Sequence, residues 1–148
     1  MKYPLQKIRL ISRPGPHRRG GALVEGAILM SMVVMLTFGA IEYGYAFYLK
    51  HAIQGAAYVG ARSAITTGST NAIVQAAVAS SMQSAGFQTS QYTVTTTPSS
   101  IAGLAAGTYV TVNVSCTWGT VGVSPLPVSL GGIPTNKQLS CSVVMAHE

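Results

Sequence analysis

The chain has no aspartate. Its 148 residues include three glutamates, three histidines, two cysteines and one tryptophan. Charged residues make up 8% of it, against about a quarter in an ordinary soluble domain. These shortages exclude a good deal. Catalysis by acid–base or nucleophilic groups needs titratable side chains held close together. His17, His51 and His147 share no spacing with carboxylates or cysteines that suits a metal. Cys116 and Cys141 form no CxxC pair, and there is neither a P-loop nor a GxSxG elbow. The chain reads as a non-enzyme, with no catalytic residue, no metal site, no cofactor and no small-molecule substrate. Such low charge marks a protein that buries surface in a membrane or against copies and partners.

What charge there is sits at one end. The net charge is +6, and Lys2, Lys7, Arg9, Arg13, Arg18 and Arg19 all precede residue 21. Beyond them, Lys50, Arg62 and Lys137 balance Glu25, Glu42 and Glu148. The body has no basic patch with interleaved aromatics, which argues against nucleic-acid binding. A basic tail followed at once by an apolar run is the cytoplasmic flank of a membrane segment.

The run from Gly26 to Ile41, GAILMSMVVMLTFGAI, carries no charge. Glu42 interrupts it before YGYAFYL continues to Lys50. As a helix, residues 21–49 span roughly 44 Å at 1.5 Å per residue, more than a hydrocarbon core of about 30 Å. Tyr43, Tyr45, Phe47 and Tyr48 gather at the far end, as an aromatic belt does. The positive-inside rule puts the N-terminus in the cytoplasm and the C-terminal domain outside it. A cleaved signal peptide is one alternative, with HAIQGAA (51–57) as its cleavage site; a plain single-pass anchor is another. Neither explains a glutamate near the start of the segment. Glu42 has a simpler reading, hydrated at the outer interface. Glu25 and Glu42 lie on different helix faces at about 100° per residue, so they are no acid–base pair.

A cut after Gly20 makes sense of Glu25. The new chain begins Gly21-Ala22-Leu23-Val24-Glu25. Its ammonium and the carboxylate about one turn away can neutralise each other, within or between subunits. Repeated along a stack of helices, that pairing sets register. The string RRGGALVEGA, followed by GAIEYGYAFYLKHAIQGAAYVGAR, resembles the TadE-like family of the tight-adherence (Flp pilus) system. Arg18-Arg19-Gly20, Val24-Glu25, Gly39 with Glu42 and Gly44, Ala56-Ala57 and Gly60-Ala61-Arg62 carry the resemblance over about residues 18–66. Two positions depart from the family pattern: Gly26 stands where an aromatic is usual, and Ser31 near a frequent proline. The resemblance implies a pseudopilin processed between Gly20 and Gly21 by a prepilin peptidase. Its implied partners are the major Flp pilin, a second minor pseudopilin and an inner-membrane assembly platform, with roles in adherence and biofilm formation.

Beyond the membrane, Gly55, Ala56, Gly60 and Ala61 form a small-residue stripe, spaced for close helix approach. It can serve the protein's own domain or neighbouring pseudopilins. The helix is expected to end near Ile65. TTGSTN breaks it, and Ile73, Val74, Ala77, Val78 and Met82 argue a second helix over 71–84, closed near Gly86. Period-two alternation then marks strands around Tyr92–Val94, through Val110, Val112, Val114, Cys116 and Trp118, and through Leu139, Cys141, Val143 and Met145. The Pro- and Gly-rich stretch 123–137 between the last two is loop. The expected fold is α+β and pilin-like: a long N-terminal transmembrane helix, a short second helix, and a three- to four-stranded antiparallel sheet. The expected layout is a basic leader (1–20), a transmembrane helix (21–49, continuing to about 65) and an extracytoplasmic domain (66–148). Cys116 and Cys141 fall on the apolar face of their strands. If those strands are neighbours the thiols can meet, and an extracytoplasmic compartment permits a disulfide worth about 3 to 4 kcal/mol. Two buried free thiols are the alternative.

The resulting expectation is a TadE-like pseudopilin, single-pass in a bacterial inner membrane, that acts in pilus assembly through its N-terminal helix. The competing one is a permanently anchored periplasmic binding module whose sheet and 123–137 loop contact a partner.

Overall fold

The computed structural model describes residues 19–148, with side chains from Gly20 onward. Residues 1–18 of the basic leader, Arg18 included, lie outside the described residues. The chain divides into two compact units, one ending at Val34 and one spanning Met35–Glu148. Helix α1 (Arg19–Ala64) contributes to both.

In the first unit, α1 exposes apolar side chains around its surface, with the carboxylate of Glu25 among them. Leu23, Val24, Ile28, Leu29, Met30 and Met32 are all more than half exposed. A helix of this kind finds its low-energy surroundings in lipid or against other apolar helices. The hydroxyl of Ser31 donates to the Ala27 carbonyl at 2.8 Å, so it needs no water.

In the second unit, α1 becomes one-sided. Glu42, Leu49, Ile53, Ala56, Ala57, Ala61 and Ala64 are buried, recurring at three and four residues, the spacing of one helix face. After the turn, α2 (Asn71–Ser84) covers the residues expected from its pattern. Thr70 caps it, its hydroxyl accepting from the Ile73 N–H at 3.5 Å. Val74, Val78 and Met82 face the core, whereas Ile73 is half exposed. At the C-terminal end, the Gly86 and Phe87 N–H groups return to the Gln83 and Met82 carbonyls.

The sheet is an antiparallel meander of three strands in the order β1–β2–β3: β1 (Thr93–Thr97), β2 (Tyr109–Thr117) and β3 (Gln138–Ala146). Val110, Val112, Val114 and Cys116 point from the central strand into the core. Leu139, Cys141, Val143 and Met145 of β3 pack on the same core but are only half buried. Trp118, expected at the end of β2, instead opens a single helical turn, Trp118–Val121. Its N–H still donates to Lys137 and that of Gly119 to Thr135, so the ladder bends away with the backbone satisfied. Trp118 remains fully buried.

One glycine fixes how closely the layers pack. A Cβ at Gly60 would lie 2.6 Å from Val78 Cγ2 and 3.2 Å from Val112 Cγ1. Both α2 and β2 therefore close on α1 at a point where only a hydrogen fits.

Candidate functional site

The residues singled out around the leader lie in the first unit. Gly20 and Gly21 are exposed at the start of α1, and among the described residues nothing lies within 4 Å of a Cβ built at either. Glu25 is exposed too. Gly20, Gly21, Val24, Glu25, Ile28 and Leu29 line one shallow groove, because residues three and four apart share a helix face. One carboxylate thus stands in a surface otherwise made of glycine and aliphatic side chains.

The small-residue stripe divides. Ala56, Gly60 and Ala61 face the protein's own core, together with Ala57. Gly55 faces outward with no atom within 4 Å of a Cβ. The close approach these residues permit is between α1 and its own α2 and β2.

The largest departure from the sequence reading is Glu42. Hydration at an interface does not describe it: the residue is completely buried. The loop 122–137 folds over it and supplies backbone donors in place of water. Ile133 N–H donates to Oε1 at 2.6 Å and Leu126 N–H to Oε2 at 3.4 Å. These two amides flank the Pro127–Gly132 turn, so one carboxylate fastens both ends of it. Next along α1, Tyr43 donates its hydroxyl to the Gly131 carbonyl at 3.0 Å. The turn closes internally, with the Leu130 and Gly132 N–H groups both directed at the Pro127 carbonyl. Gly132 is required for this closure, since a Cβ there would collide with the Leu126 carbonyl oxygen.

The aromatic residues after Glu42 are also committed to the domain. Tyr45 meets Trp118 edge-on, with ring centroids 6.0 Å apart. Trp118 Nε1 donates to Ser124 Oγ at 2.9 Å. Tyr48 donates to the Ala85 carbonyl at 2.9 Å and packs beside Phe87. Residues 42–49, read from the sequence as the outer end of the span, contribute Glu42, Tyr45 and Leu49 to the folded unit, while Tyr43, Phe47 and Tyr48 remain exposed.

The cysteines lie on neighbouring strands and one face, but the expected bridge is not formed, and both thiols are free. The register puts Leu139 opposite Cys116 and Val114 opposite Cys141. The thiols are thus diagonal, and diagonal positions stand about 7–8 Å apart, beyond ordinary disulfide reach. Burial pushes the Cys116 thiol above the ordinary thiol range.

Elsewhere, an open groove runs between α2 and β1, lined by Ala72, Gln75, Ala76, Tyr92 and Val94. Burial raises the Tyr92 phenol above its usual range. No carboxylate or cation among the described residues borders this groove. Among the described residues, no three His, Cys, Asp or Glu side chains come together as a metal site would require.

Glu25 and Glu42 were both visible in the sequence as charges in an apolar helix. What the sequence did not reveal was the partner of Glu42. The only hint was a Pro- and Gly-rich loop of the right length, with nothing to say where it docks.

Among the described residues, α1 holds the one helix segment long and apolar enough to cross a membrane. Residues 20–62 match the family model of TadE-like proteins. No curated protein and no solved structure matches the chain.

Proposed function

We propose that this chain is a pseudopilin of a tight-adherence (Flp) pilus or a related secretion machine, acting in assembly rather than catalysis. The observation that carries the reading is Glu25, an exposed carboxylate on an apolar helix inside the TadE-like segment. A charge in lipid persists when something neutralises it. Cleavage after Gly20 would create an ammonium on Gly21, about one turn from Glu25. Pairing within a subunit, or from one subunit to the next, then sets helix register.

In this reading the span covers the uncharged run from Gly26 to Ile41. The leader stays cytoplasmic, and the domain built on residues 42–148 stands outside the inner membrane. A prepilin peptidase is the processing partner. The major pilin, a second minor pseudopilin and the assembly platform are the assembly partners, with adherence and biofilm formation as the outcome. The surface offered to them is the exposed part of α1, because Ala56, Gly60 and Ala61 are occupied by the protein's own core.

The test is Glu25→Ala in the native host, alongside Gly20→Phe. Loss of pili at a normal protein level supports assembly through Glu25. Unchanged piliation with both variants would instead favour the permanently anchored binding module. Intact mass of the membrane-extracted protein tests processing separately, and a mature chain still beginning at Met1 would sink the cleavage step.

A further inference from the structure

The loop fastened by Glu42 has an unusual outer surface. From Gly119 to Asn136 it contains no charged residue. Val123, Val128 and Leu130 are 49%, 58% and 51% exposed. Val128 and Leu130 are held outward by a closed turn, not left on a loose strand. Glu42 grips both ends of that turn, Tyr43 holds its Gly131 carbonyl, and three internal hydrogen bonds close it.

Its position follows from α1. Trp118, where the connection begins, packs on Tyr45. Leu126 reaches Gly39, its Cδ1 lying 3.7 Å from a Cβ built there. Those helix positions differ by six residues, about 9 Å along the axis. The loop therefore descends α1 and stops on the turn where the uncharged run ends. On this stretch Met35, Leu36, Phe38 and Ile41 are themselves between 42% and 63% exposed. The loop that carries Val123, Val128 and Leu130 meets this stretch through Leu126 at Gly39 and Gly131 at Tyr43, and the charged residue between them, Glu42, is buried.

We propose that this loop is a lipid-docking element, seating Val128 and Leu130 at the headgroup–acyl boundary on the side where α1 leaves the bilayer. The inference rests on the membrane-span reading above, and continuity with the span identifies the occupant. Lipid suits the loop's chemistry. No ionised group has to be desolvated, and the Leu126, Leu130, Gly131, Gly132 and Ile133 N–H groups are bonded within the protein. Short apolar elements of this kind settle at the boundary rather than cross it. Docking there gives the domain a second point of membrane contact beside α1. It thereby fixes the domain's tilt, and with it the face presented to the next subunit.

Site-selective fluorescence tests this in the full chain, reconstituted in phosphatidylethanolamine–phosphatidylglycerol liposomes. In a Cys116→Ala, Cys141→Ala background, an environment-sensitive dye is attached at Leu130→Cys, Ile28→Cys or Thr67→Cys. Val128→Cys serves as a second loop reporter. Nitroxide-labelled lipid is expected to quench the dye at 130, 128 and 28, and to leave it bright at 67, at the far end of α1. If the dye at 28 is quenched but those at 128 and 130 respond only to a water-soluble quencher, the docking inference fails while the span survives. If none is quenched by lipid, both fail. If the loop dyes are shielded from both quenchers and exposed on diluting the protein into excess lipid, a second copy covers the loop and lipid docking is overturned.

Discussion

Replacing Glu42 with alanine removes the acceptor of two loop amides in one step. Each buried donor left unpaired costs about 1 to 3 kcal/mol, so the pair together represents about 2 to 6 kcal/mol of local stability. The lower part of that range is expected here. The Leu126 bond is long at 3.4 Å, and water entering the vacated site recovers part of the cost. At about 1.4 kcal/mol per factor of ten, a loss of about 2 to 3 kcal/mol raises the open population roughly 30- to 150-fold. Amide hydrogen exchange in the full-length protein in nanodiscs reads this directly. The Leu126 and Ile133 amides should exchange faster by that factor, while Val74 in α2 and Val112 in β2 keep most of their protection. Glu42→Gln keeps one acceptor oxygen and turns an NH2 group toward the other amide. It should release one amide and spare its partner. Unchanged exchange at both positions in Glu42→Ala would mean that the carboxylate does not hold the loop. Equal loss of protection in loop, α2 and β2 would mean that the clasp is a global determinant of folding.

Other substitutions probe the same packing. Gly60→Ala forces a Cβ to within 2.6 Å of Val78; it should cost about 1 to 3 kcal/mol and lower the thermal midpoint. Gly55→Ala, five residues earlier with open space around it, should be neutral or raise stability by up to about 1 kcal/mol; equal midpoints for the two variants would contradict the packing described. Gly132→Ala places a methyl group against the Leu126 carbonyl and should free the same two amides as Glu42→Ala in the exchange measurement, even though the carboxylate is intact. Cys116 holds its proton to higher pH in the folded state than in the unfolded one, so its contribution is constant below about pH 8.5 and stability falls as pH rises past that value; Cys116→Ala should flatten that alkaline slope, and an unchanged slope would locate it elsewhere.

Local pattern made the elements legible. The second helix follows from Val74, Val78 and Met82 with a capping threonine, and the structure begins and ends it where that pattern does. The central strand follows from alternating valines, and their burial is what alternation means. Register is a different matter. A shift of two residues leaves every apolar side chain facing the core, so the sequence could not distinguish Cys141 opposite Cys116 from Leu139 opposite Cys116. Trp118 marks the same boundary. Its parity in the strand pattern correctly predicted burial, but only the Gly119–Thr135 hydrogen bond decided that the strand ends before it. The small stripe shows why composition underdetermines partners. Alanine and glycine permit close approach to any surface, and Val78 with Val112 happens to be the surface present.

The two glutamates of α1 show where sequence reasoning separates from structure. In the sequence they are the same anomaly, a carboxylate in an apolar helix. An ionised carboxylate tolerates removal from water when fixed dipoles take water's place. For Glu42 the fold provides them, through two amides brought from 84 and 91 positions away in the chain. That solution is internal, and it ties the carboxylate to the fold of its own domain. For Glu25 the neighbouring groove offers Gly20, Gly21, Val24, Ile28 and Leu29, none with a side-chain donor. Among the described residues the groove therefore supplies no compensation, and in the proposed reading it comes from an ammonium created on Gly21 or from another subunit. The two substitutions therefore differ in kind. Glu42→Ala should be readable in the isolated protein as a loosened loop. Glu25→Ala should leave exchange in the domain of the unassembled full-length protein unchanged and register only when subunits assemble. A Glu25 variant that loosened that domain would show that the carboxylate has an internal partner after all, and the argument for assembly would lose its foundation.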